Sequence, residues 1–165
     1  MFRTAALILA AGVVSAPAAF ADSRGVARGR LEQVQAMAHR VEDEAQQVRA
    51  GARTTHHYRL LPREIRAMRR LDVLVFRARE FHREAEGPRV RNGRLDDAWG
   101  ELQLAWRQAA ESFPGLRTGP YVRRDFRQLT FAMDRLTDSY ERFDRADRGD
   151  PRRRGDGRGP YVGRR

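Results

Sequence analysis

The four histidines are the first place to look for chemistry, because the chain has no cysteine. His82 is the most informative of them. At 100° per residue it falls on the apolar stripe of its segment, in line with Met68 and Val75. A polar ring on such a stripe needs a partner. Matching helix midpoints in an up-down bundle brings His82 to the level of Tyr140. Its bland role is therefore a core histidine bonded to Tyr140 or to a carboxylate. Its sharper role is a metal or haem ligand at one end of a bundle. Glu86 lies four residues on, at a spacing that can share a cation. His56 and His57 adjoin each other before Pro62, and neighbouring histidines can both reach one metal. The candidate metal set is thus His82, Glu86 and His57. His39 pairs at i,i+4 with Asp43 and reads as a surface residue. Met133, the obvious axial partner for a haem, falls roughly 10 Å along the axis from the His82 level.

Other chemistries are excluded by residue type. Without cysteine there is no disulfide scaffold, thiolate metal site, iron–sulfur cluster or covalently attached haem. No Glu-x-x-His pair of the di-iron bundles occurs, no His-Glu-x-x-His, and no glycine-rich phosphate loop. Asp96 and Asp97 open a helix, where dipole and capping account for them. No nucleophile–base pair stands out. The expectation is a protein that is not an enzyme and carries no cofactor, with a transition metal at His82 as the alternative.

Arginine offers the second kind of chemistry. All 33 basic residues are arginine, and the formal charge is +11. A GC-rich coding sequence explains the absence of lysine without selection. The clusters Arg69-Arg70, Arg123-Arg124 and Arg152-Arg153-Arg154 can bind anions. In the bundle the interspersed acids point to plain solvation. In the tail, Arg152, Arg153 and Arg154 are the candidate contact to an anionic partner. The two Arg-Gly-Asp triplets follow from the tail's composition.

These residues need elements to position them, and the apolar periodicity is helical throughout. The first segment runs from about 23 to 50, with the stripe Leu31, Val34, Ala38, Val41, Ala45, Val48 and with Gly51 as its stop. The second opens at Pro62 and runs to about 86. Its stripe is Leu61, Ile65, Met68, Leu71, Val75, Ala78, His82, Ala85, widened by Leu74 and Phe81. The third spans about 94–113, with Trp99 and Trp106 flanking its stripe. The fourth, about 120–147, has the cleanest heptad pattern: Val122, Phe126, Leu129, Met133, Leu136, Tyr140, Phe143. Four amphipathic helices with short connections predict an all-α, antiparallel up-down four-helix bundle over 22–147. A three-helix arrangement, with 52–61 continuing the first helix, is the alternative.

The ends read differently. Residues 1–21 have Arg3, an apolar run from Ala5 to Val14 too short to span a bilayer, and an Ala-x-Ala site at 19–21. That is the pattern of a cleaved signal peptide. Residues 148–165 hold seven arginines and two aspartates with little apolar content, and are expected to form a disordered basic tail. The sequence therefore predicts a periplasmic or secreted binding protein. Its partner is an anionic envelope component or another protein, with no nucleic acid expected and no transmembrane segment in the mature chain. Self-association through Trp99 and Trp106 is a further possibility.

Overall fold

A computed structural model of the chain describes residues 18–55, 60–87 and 94–148. They form α1 (Ala18–Thr55), α2 (Pro62–Glu86), α3 (Arg94–Ser112) and α4 (Pro120–Arg148), with a 3₁₀ turn at Phe113–Gly115 between the last two helices. There is no strand among the described residues. The four helices pack as an all-α bundle. The expected tail, all but Arg148 of it, and the first 17 residues of the expected signal segment lie outside the described residues; α1 takes in the remaining Ala18–Ala21.

Each adjacent pair runs antiparallel, and cross-links fix the register. Gln35 donates to the Ala85 carbonyl at 2.8 Å, and Arg53 pairs with Asp72 at 3.1 Å, tying α1 to α2. Arg70 donates to the Gln108 carbonyl at 3.1 Å and Arg77 pairs with Glu101 at 2.6 Å, tying α2 to α3. Arg30 donates to the Arg142 carbonyl across α1 and α4. Helix backbones approach closely at the α1–α2, α2–α3 and α1–α4 seams. At the α3–α4 seam aromatic rings take up the space: Trp99 stacks on Tyr140 at 4.6 Å, Trp106 on Phe126 at 5.6 Å, and Phe113 on Phe126 at 3.7 Å. Trp99 is therefore part of the core, and Trp106 is half-buried against it.

On α1, Val34, Ala38, Val41, Ala45, Val48 and Ala52 are all buried, a strict 4-3-4-3-4 repeat. The helix does not stop at Gly51. It continues to Thr55, because Ala52 is core and Arg53 still reaches Asp72. Gly51 has a different role. A Cβ there would sit 3.0 Å from Cγ2 of Val122, so the missing side chain lets α4 approach α1.

On α2 most of the expected stripe is buried: Met68, Leu71, Val75, Ala78 and Ala85, widened by Leu74 and Phe81 and joined by Ala67. Its N-terminal end departs from the pattern, since Leu61 and Ile65 are each 38% exposed. Pro62 is the first helical residue, as its spacing predicts. Glu64, only 3% exposed, accepts the Leu61 backbone N–H at 2.8 Å and pairs with Arg117 at 3.4 Å. One carboxylate thus caps α2 and anchors the connection between α3 and α4.

Candidate functional site

His82 is positioned by α2, on the flank that meets α1. Its side chain is 16% exposed. Nδ1 lies 2.7 Å from Oε2 of Glu42, and Nε2 lies 3.3 Å from Oε1 of Glu86. Glu42 also accepts from Arg79 at 3.1 Å and from Gln46 at 2.9 Å. The His39 ring stands 5.0 Å from the His82 ring, and His39 pairs with exposed Asp43 at 3.3 Å. Burial pushes the Glu42 carboxyl up. The hydrogen bonds and charges of His82 and Arg79 outweigh that, and its pKa is held below the ordinary glutamate value.

Of the two partners the sequence allows for His82, Tyr140 or a carboxylate, the structure gives carboxylates, Glu42 and Glu86. Tyr140 is at the right level, and the direction toward it belongs to the preceding residue. Phe81 faces that way, 5.9 Å from the Tyr140 ring and 5.4 Å from Trp99. The Tyr140 hydroxyl donates to Asp96. A step of 100° turns His82 toward α1 instead. Of the three candidate metal ligands, the structure brings His82 and Glu86 together, while His57 lies outside the described residues. Among the described residues no three His, Asp or Glu side chains are grouped so that they could hold a metal. Met133 and Met68 are packed in the core. What His82 and Glu86 build with Glu42 and Arg79 is a chain of polar side-chain contacts clamping α1 to α2.

A cleft of about 250 Å³ opens between the end of α2 and the start of α3. Its charged lining is Glu80, Glu84, Asp97 and Glu101 with Arg83 and Arg94. Arg77 holds both Glu80 and Glu101, at 2.5 and 2.6 Å.

The larger feature is a separation of charge along the bundle. The antiparallel register puts residues 45–55, 60–74, 103–119 and 120–133 in one half. That half carries eleven arginines and four carboxylates. The other half, residues 25–44, 75–87, 94–102 and 134–146, carries ten arginines and fourteen carboxylates. The formal charges are +7 and −4. In the basic half, Arg49 and Arg53 share Asp72, Arg117 takes Glu64, and Arg70 takes a carbonyl. Arg63, Arg66 and Arg69 on α2, Arg107 on α3, and Arg123, Arg124 and Arg127 on α4 are all exposed and make no ion pair with a described residue. Two of the three arginine clusters read from the sequence contribute to this end. The third, Arg152-Arg153-Arg154, lies outside the described residues.

No family model, curated protein or solved structure matches this chain. Among the described residues no helix is long and apolar enough to cross a membrane.

Proposed function

We propose that this is an exported, non-enzymatic bundle protein of the periplasm or cell envelope that works by binding an anionic partner. One observation carries the reading. Seven exposed arginines without ion-pair partners among the described residues collect in one half of the bundle. Like charges so placed repel one another, and stability alone gives no reason to gather them. Guanidinium groups suit phosphate and carboxylate partners because their donors form a planar fork. Arg152, Arg153 and Arg154 of the C-terminal segment add to the same attraction. Export is inferred from the Arg3, apolar-run and Ala-x-Ala pattern of residues 1–21.

The test is fluorescence anisotropy with labelled inorganic polyphosphate, titrated against sodium chloride. Binding should be tight at low ionic strength and fall steeply with salt, because each neutralised phosphate releases counterions. Replacing Arg63, Arg66, Arg123 and Arg124 together by Gln should weaken it. The triple change Arg152→Gln, Arg153→Gln, Arg154→Gln should weaken it further. No binding at low salt by the parent chain would overturn the reading.

A further inference from the structure

The basic end is not only basic. Tyr121, in the first turn of α4, is 79% exposed. Leu61 and Ile65, at the start of α2, are exposed beside Arg63 and Arg66. α2 and α4 run parallel in the antiparallel bundle, so all three apolar side chains stand at the same end. We propose that this end is a docking surface for an anionic lipid bilayer, a reading that rests on the anionic-partner function proposed above.

The choice of a lipid surface over a soluble polyanion follows from the mixture. A polyphosphate or polysaccharide chain engages guanidinium groups and leaves exposed Leu, Ile and Tyr with nothing to do. A bilayer interface takes both. Arginine heads meet the phosphates while their aliphatic stems lie along the acyl boundary. Tyrosine sits at the headgroup level with its ring in the apolar layer and its hydroxyl in the polar one. Leucine and isoleucine bury in the acyl boundary itself, as on peripheral anchors that rest on a membrane without crossing it. The charge complements the surface, and the apolar groups add the affinity that salt does not screen.

The test is co-sedimentation of the full chain with vesicles of phosphatidylglycerol and phosphatidylcholine, beside vesicles of phosphatidylcholine alone and beside soluble polyphosphate. All variants share the apolar N-terminal run, whose contribution is measured by the uncharged vesicles. Two variants separate the terms. In the first, Leu61→Ser, Ile65→Ser and Tyr121→Ser replace exposed side chains, and an unchanged thermal transition confirms folding. It should bind the anionic vesicles about tenfold or more weakly than the parent while binding polyphosphate equally well. In the second, Arg63, Arg66, Arg123 and Arg124 become Gln, and both interactions should weaken. Equal vesicle binding by the Ser variant and the parent overturns the lipid assignment. So does equal binding of the parent to charged and uncharged vesicles. Parent binding to polyphosphate but not to vesicles also overturns the lipid assignment and leaves the anionic-partner function standing. Binding to neither overturns both.

Discussion

Glu42 shows how one residue escapes a sequence reading. It lies beside Val41 and looks like part of α1's solvated face. In the folded chain it accepts from His82, Arg79 and Gln46. Finding it needed the register of α1 against α2. A carboxylate partner for His82 was legible from its place on the stripe, but which carboxylate was not. The consequence for stability has a definite sign. The folded pKa of Glu42 is lowered, so its contribution is complete above the unfolded glutamate value of about 4.3. It is lost as pH falls through the lowered folded value. Glu42→Gln should therefore destabilise the protein near neutral pH and flatten the acid side of its stability profile. Urea unfolding from pH 7 downward measures both. A variant whose acid limb coincides with the parent's contradicts the assignment.

At the scale of elements, the fold was largely legible and its boundaries were not. The heptads of α4 survive intact: Val122, Leu129, Met133, Leu136 and Tyr140 are buried, with Phe126 and Phe143 packed against the core. Heptad spacing reports the core directly when a helix has a single apolar stripe. α2 misled because it is apolar over a wider arc. Leu61 and Ile65 continue its pattern numerically but fall beyond the packed face, where no described helix covers them. Glycine misled for a different reason. Gly51 looks like a helix stop because glycine often ends helices. It stands instead at the point where two helices touch, and its signal is the close approach of Val122. Gly51→Leu should lower stability by about 1–3 kcal/mol through overpacking at the α1–α4 seam. A melting curve decides it. A Tm equal to or above the parent's means that Val122 gives way freely.

The whole molecule is a rod with unlike ends. Neither the composition nor the net charge of +11 reveals that, because the arginines are spread along the sequence and only antiparallel folding gathers them. Such gathering works against stability. Arg66 has Arg63, Arg69 and Arg70 at i−3, i+3 and i+4 on its own helix. Arg66→Glu converts these repulsions to attractions of about 0.2–0.5 kcal/mol each. Its urea midpoint should rise while its polyphosphate binding falls. Stability and binding moving in opposite directions is the mark of residues kept for contact. A stabilised variant with unchanged binding removes Arg66 from the surface.

The two poles also differ in permanence. The positive one is built of guanidinium groups, which hold their charge at every pH a cell meets. The negative one is an excess of carboxylates over arginines, which acid removes. At neutral pH a negatively charged wall exerts a torque, turning the molecule arginine-end first before any contact is made. In acid the opposing pole fades and that wall attracts the molecule from every side. The bundle is a compass needle with one erasable end, so in the proposed role acidity sets how selectively it would orient as well as how strongly it would adhere.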